Sequence, residues 1–422
     1  MICSIRHGAR TGSVDIISSK SYAHRLIILA SLAKGASRIE CRGTSRDIEA
    51  TVSCMNALGA SIVRTGDMIY VEPIVNKPRG IRELNCGESG STLRFLLPII
   101  GALGAEAVFN MEGRLGERPL APLDGVLRAH GMAIQKQGVR LYCSGQLTAD
   151  EYAIDGNVSS QYISGLLMAL PLLCHGSTLA VTGRLESGAY VDITLDTLKT
   201  ANAAVACGDN GRSFTIQGGC GYNMPAVCRA EGDWSNAAFF LCMGAVSRRG
   251  ITVTGLNASS RQGDRQIAAI LRQMGADVCI GGESITVKRN KLMPITVNAS
   301  QIPDLIPAIC ALAAAAEGDT HIINAARLRL KESDRLKSTA DMLAALGVGV
   351  TELADGLTVH GTGHILGGTV DSRNDHRIAM AAAVAACAAE GNVSIRGKEC
   401  VSKSYPAFFD VLDTLHTEGE HA

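Results

Sequence analysis

Apolar residues recur along the chain with helical spacing in two interleaved series. In the first, "CMNALGASI", "VLRAHGMAI", "TLKTANAAV", "LRQMGADV" and "MLAALGVGV" each read as the end of an amphipathic helix, a residue suited to the left-handed backbone region, and then a strand. The markers are Gly59, Gly131, Asn202, Gly275 and Gly347, with a degenerate sixth at His416 in "VLDTLH", and they stand 72, 71, 73, 72 and 69 residues apart. In the second series, "RLIILASLAKG", "FLLPIIGALG", "LLMALPLLCHG", "FFLCMGAVSRRG", "AICALAAAAEG" and "IAMAAAVAACAAEG" run to Gly35, Gly104, Gly176, Gly250, Gly318 and Gly391 and are apolar on nearly every face. Helices of that kind belong inside a domain, and the amphipathic set belongs nearer solvent. Alternating stretches such as "SITVKRN" and "GLTVHG" supply strands. The period is too long for a common solenoid unit, so the pattern predicts six copies of a small α/β module, grouped three and three, each with two helices and about four strands.

Polar residues keep the same phase. The apolar helices begin at "SSKSYAHR", "GESGSTLR", "VSSQY", "GDWSN", "QIPD" and "RNDHR", and the amphipathic ones at "GTSRD", "GRLGERP", "LESGAY", "SSRQGDR", "LKESDR" and "SKSYP". A helix N-terminus carries unpaired N–H groups and about half a positive charge, so modules arranged alike form a site for carboxylate and phosphate. The side chains at these starts include the cations Lys20, Arg25, Arg94, Arg114, Lys331, Arg335, Arg377 and Lys403, with Ser21, Ser159, Ser160 and Gln161 as further hydrogen-bonding groups. More than one small polyanion is the expected ligand. Ser, Asp and Asn at helix starts are usually caps, and Trp234, Asn236, Arg46 and Arg261 are read as structural.

Composition narrows the class. A chain of 422 residues, 46% apolar, buries more than one core, so two domains are expected. Forty Lys plus Arg balance forty Asp plus Glu, which leaves no global field for nucleic acid or an anionic membrane. The start "MICSIRHGARTGS" lacks a signal-peptide core and no apolar run spans a bilayer. Fourteen cysteines with no C-x-x-C pair suit reduced thiols, so a soluble cytoplasmic protein without zinc or disulfides is expected.

The motifs "SKSYAHR", "GESGSTLRF", "GRLGERPL", "SSQYISGLLMALPL", "IPD", "RLRLKESDRL", "RNDHRIAMA" and "SKSYPAFF" resemble, in order and spacing, those of the 5-enolpyruvylshikimate-3-phosphate synthase family over nearly the whole chain. The resemblance implies a two-domain inside-out α/β barrel of β-α-β-α-β-β modules, with residues 1–18 and 231–422 in one domain, 19–230 in the other, and ligands in the cleft between them. It implies transfer of the enolpyruvyl group of phosphoenolpyruvate to shikimate 3-phosphate, on the route to aromatic amino acids, by a monomer without metal or cofactor. Carried over by motif, Lys20, Ser21, Arg25, Ser159, Ser160, Gln161, Ser187, Asp304 and Lys331 are expected at shikimate 3-phosphate. Lys20, Gly90, Arg114, Gln161, Arg335, Arg377 and Lys403 are expected at phosphoenolpyruvate. Addition and elimination across a vinyl group need a general base and a general acid. Asp304 is assigned as base on the acceptor hydroxyl, and Glu332 with Lys20 to proton transfer at the methylene carbon.

Within "LRLKESDRL", Asp334 is read as a capping group and Arg329 has no role. Ile16, Ile17 and Ser18 replace the family's Pro-Gly, Glu88 replaces a common Asn, and Arg327 stands where some members have Asn. A UDP-N-acetylglucosamine enolpyruvyl transferase would carry a reactive Cys in "EGRLGERPL", and an RNA 3′-phosphate cyclase would need a basic surface. Neither feature is present in the sequence.

Overall fold

The computed structural model describes residues 2–209 and 211–418. Among them are twelve α-helices: α1 (Lys20–Ser31), α2 (Arg46–Ala57), α3 (Gly90–Leu103), α4 (Leu123–Ala129), α5 (Ser160–Ala169), α6 (Ala189–Thr200), α7 (Trp234–Gly244), α8 (Ile267–Gln273), α9 (Ile306–Ala313), α10 (Arg335–Ala344), α11 (His376–Ala388) and α12 (Phe408–Asp413). The odd-numbered helices carry the second apolar series. They are buried around almost their whole circumference; α11, for example, buries every residue from His376 to Cys387. The even-numbered helices are amphipathic, and α2 buries only Ile48, Thr51, Cys54 and Met55.

Each module closes a small sheet around its helices. In one, the parallel pair Ile81–Gly87 and Glu106–Met111 is extended by the antiparallel hairpin Met132–Gln137 and Arg140–Gly145. The same order of strands recurs in four further sheets. The sixth differs, and the difference accounts for the degenerate marker. After α11 and the strand Val393–Arg396 no hairpin follows; the chain's own first strand, Ile2–Ile5, fills that place antiparallel to Val393–Arg396. The short strand His416–Thr417 instead joins Arg10–Asp15 at the edge of another module's sheet.

Contacts divide the chain into two units, Met1–Ile17 with Glu231–Ala422, and Ser18–Ala230. Each has its own apolar core built from three odd-numbered helices. The expected boundary after residue 18 moves by one. Ser18 gives its N–H to the Arg42 carbonyl and its hydroxyl to the Ala230 carbonyl, which ties it to the second unit.

All five markers of the first series have positive φ. In the second series Gly104, Gly250 and Gly318 do as well, and Gly35, Gly176 and Gly391 do not. Gly275 has φ +91°, and a Cβ there would lie 2.2 Å from the Lys291 carbonyl oxygen. Gly275→Ala is therefore expected to cost about 2 kcal/mol or more, while Asn202→Gly, at φ +53°, should be near neutral; chemical denaturation midpoints measure both.

Candidate active site

In the unit Ser18–Ala230, three helix starts are tied together by side chains. Lys20, the first residue of α1, places Nζ 2.8 Å from Asp47 Oδ2 in the first turn of α2. Ser21 lies one residue on, and its carbonyl accepts from Arg25 Nη1 at 2.7 Å. Arg25 is 2% exposed and also donates to Thr194 Oγ1 at 2.7 Å, Tyr190 O at 3.0 Å and Ser164 Oγ at 3.2 Å. None of these acceptors is a carboxylate. The guanidinium rests on the Phe95 ring, and burial lowers its pKa to about 9. A buried cation surrounded by neutral acceptors favours an incoming anion. His24, beneath the same cations, is held neutral by burial and by Lys20, and bonds Thr51.

Ser159 caps α5 by accepting from Gln161 N, and Ser160 is the first residue of that helix. Gln161 is locked between two helices: its Oε1 accepts from Arg94 Nη1 at 2.7 Å, and its Nε2 donates to Ser91 Oγ at 2.9 Å. Gly90 opens α3 beneath a Ser89 cap, and the space a Cβ would fill is bounded by Arg118 Nη1 at 2.9 Å and Arg94 Nη1 at 3.3 Å. Two guanidinium groups and a helix start thus surround one glycine, an arrangement that favours an anion. Ser187 is buried at φ +54°, at the turn before α6.

Arg114 lies on the 3-10 turn Gly113–Glu117, half exposed and 3.5 Å from Glu117. Arg118 follows that turn with extended backbone (φ −70°, ψ 141°), and it is Arg118 that reaches Gly90. Glu88, which stands where the family commonly has Asn, packs against Gly113, where a Cβ would lie 2.5 Å from its Oε2.

In the unit Met1–Ile17 with Glu231–Ala422, Arg335 is the organising group. It is 1% exposed; Nε donates to Asp375 Oδ2 at 2.8 Å, Nη1 to Asp304 Oδ1 at 2.6 Å, and Nη2 to Glu332 Oε2 at 2.6 Å. Burial opposes its charge, but Asp375, Glu332 and Asp304 together hold the pKa above the usual arginine range. Asp375 caps α11 through Arg377 N, so one guanidinium joins the starts of α10 and α11 to the turn before α9. Asp304 also has Lys331 Nζ at 3.6 Å and Arg377 Nη2 at 3.9 Å. Burial, opposed by Asp304 and Glu332 and aided by Arg335 and Arg327, lowers the pKa of Lys331 to about 8. Arg377 donates to Ser235 O at 3.0 Å, and Lys403 donates to Asn374 O at 2.6 Å.

Arg329 now has a role. It donates to both oxygens of Asp334, to Glu352, and to the Leu353 and Ala354 carbonyls, while Asp334 caps α10 at Lys337 N. The segment that carries Lys331 and Glu332 is closed by this clamp. Asp375 and Arg118 are the residues that motif reading passed over, although both stand inside quoted motifs.

The family profile described as EPSP synthase (3-phosphoshikimate 1-carboxyvinyltransferase) matches residues 6–412. The chain belongs to the EPSP synthase family. It is 41% identical over 409 residues to a 3-phosphoshikimate 1-carboxyvinyltransferase of Clostridium kluyveri, covering 96% of this chain and 95% of that one. Against the protein of the same name from Clostridium acetobutylicum it is 41% identical over 417 residues, with 96% and 95% covered. A solved EPSP synthase from Acinetobacter baumannii superposes with a TM-score of 0.81 at 26% identity, covering 98% of each chain. The enolpyruvyl transferase NikO from Streptomyces tendae shares the fold, with a TM-score of 0.77 at 19% identity over 99% of this chain and 98% of that one. As in these EPSP synthase relatives, the fold is the inside-out α/β type.

Proposed function

We propose that the chain carries out the family's reaction: it transfers the enolpyruvyl group of phosphoenolpyruvate to the 5-hydroxyl of shikimate 3-phosphate, releasing phosphate. The observation that carries the residue-level reading is Arg335, which fixes Asp304, Glu332 and Asp375 around one guanidinium beside Lys331. Asp304, paired with Lys331 and Arg335, takes the proton of the acceptor hydroxyl. Glu332 and Lys20 transfer the proton at the methylene carbon. Arg25, Ser21, Ser159, Ser160, Gln161, Ser187 and Lys331 hold shikimate 3-phosphate. Lys20, Gly90, Arg114, Gln161, Arg335, Arg377 and Lys403 hold the carboxylate and phosphate of phosphoenolpyruvate, with Arg118 beside Gly90 as a further forked donor suited to a planar anion.

Turnover in deuterium oxide tests the chemistry. Protonation of the methylene carbon makes a methyl group in the tetrahedral adduct, so elimination leaves deuterium in the product's vinyl group. A product free of vinyl deuterium contradicts addition and elimination.

Lys331 gives a pH dependence with a defined sign. Its pKa of about 8 means the charge is present below that pH and lost above it, so affinity for shikimate 3-phosphate should fall about three- to tenfold between about pH 7 and pH 9. Titration calorimetry reads the change, and a Lys331→Met variant should lack it. No helix among the described residues is long and apolar enough to cross a membrane, and we place the enzyme in the cytoplasm as a monomer.

A further inference from the structure

Asp264 has no part in the reading above, yet it is among the most deeply buried carboxyls of its unit, at 3% exposure. It lies on the 3-10 turn Gly263–Gln266 that leads into α8. Its Oδ2 accepts from Ser235 Oγ on α7, and its Oδ1 is buried with no hydrogen-bond donor. No ion pair reaches it among the described residues. The charged groups that face it are the Asp233 carboxylate at the start of α7, Asp304 before α9, and the Arg377 guanidinium on α11. On its own turn Arg265 points away, to the Ala258 carbonyl, and on α8 Arg272 bonds the Val278 carbonyl. Ser235 joins the two halves of this arrangement, because its hydroxyl serves Asp264 and its carbonyl accepts from Arg377.

A buried carboxylate with an open oxygen, one hydroxyl donor and two like charges nearby is costly in its ionised form. We propose that Asp264 rests as a neutral carboxylic acid behind Asp304 and that its ionisation sets the proton affinity of Asp304, which makes it a positioning residue for the base. While Asp264 keeps its proton, it adds no negative charge to the surroundings of Asp304, which faces Lys331, Arg335 and Arg377. When Asp264 loses its proton, the added negative charge raises the affinity of Asp304 for the proton it takes from the acceptor hydroxyl. Burial, then Asp304, push the pKa of Asp264 up to about 7, while the Ser235 hydrogen bond and Arg377 oppose them and Asp233 reinforces them. The two carboxyls therefore titrate as a pair. The inference rests on the assignment of Asp304 as base.

The test compares kcat/KM from about pH 5.5 to about pH 9 for the unaltered enzyme, Asp264→Asn and Ser235→Ala. Asparagine keeps the shape and neutrality of the protonated acid. The unaltered enzyme should show an inflection near neutral pH that Asp264→Asn lacks, with the two rates within about threefold of each other at about pH 6. Ser235→Ala removes a donor that favours the ionised form, so the inflection should move upward. An inflection that persists in Asp264→Asn, or that stays put or falls in Ser235→Ala, overturns the proposal. Carboxyl carbon-13 titration of the unaltered, ligand-free protein needs no turnover and no folded Asp264→Asn variant. A buried carboxyl that titrates near neutral pH and moves upward in Ser235→Ala supports the proposal, and its absence overturns it. That titration stands even if the transferase assay fails, so the two readings fail separately.

Discussion

Replacing Asp304 by alanine lowers kcat by about 10³-fold or more and leaves the dissociation constant of shikimate 3-phosphate within about threefold. The geometry explains why the two quantities separate. Arg335 loses one of three carboxylate partners and keeps Asp375 and Glu332, so the starts of α10 and α11 stay joined. Arg377 keeps its charge, whereas Lys331 loses a carboxylate that raises its pKa, so the binding comparison belongs at about pH 6, well below the pKa of about 8 that Lys331 has beside Asp304. What is lost is the one carboxylate set among three cations, the group able to hold the hydroxyl proton. Pre-steady-state measurement of the chemical step checks the rate and calorimetry checks the binding; turnover within tenfold of normal would remove Asp304 as the base.

Arg118→Lys raises the KM for phosphoenolpyruvate by about 30-fold and that for shikimate 3-phosphate by less than about threefold, since a single ammonium cannot replace a forked pair of donors at a planar anion. Arg114→Lys is expected to act in the same direction, weakening phosphoenolpyruvate far more than shikimate 3-phosphate. Equal effects of Arg118→Lys on the two substrates would contradict the geometry at Gly90, and equal effects of Arg114→Lys would refute its assignment.

The same pair shows where the sequence stops being legible. "GRLGERPL" contains both arginines, and nothing in its spacing says that the 3-10 turn ends at Glu117 and that Arg118 leaves it with extended backbone. On a turn of three residues Arg114 and Glu117 share a face, and they do pair. The modules, by contrast, were legible because each amphipathic helix needs a left-handed exit: Gly59, Gly131, Asn202, Gly275 and Gly347 all have positive φ. The sixth marker was degenerate for a topological reason, since strand Ile2–Ile5, far away in sequence, occupies the place of the missing hairpin. Arg335 was legible as a cation near an anion site. Its distant partners were not, because Asp304 and Asp375 are brought to it from other segments, whereas Glu332 stands three residues before it in the same motif. Asp264 was hidden in a motif read as a helix start, and only burial without an ion pair marks it out.

The central claim, that the chain transfers the enolpyruvyl group of phosphoenolpyruvate to shikimate 3-phosphate, meets its most direct test in phosphate release from phosphoenolpyruvate, measured in the presence of a chelator with alternative acceptors. Release that depends on shikimate 3-phosphate, and that does not occur with UDP-N-acetylglucosamine, is the predicted result. Release with UDP-N-acetylglucosamine, or none with shikimate 3-phosphate, would contradict the account.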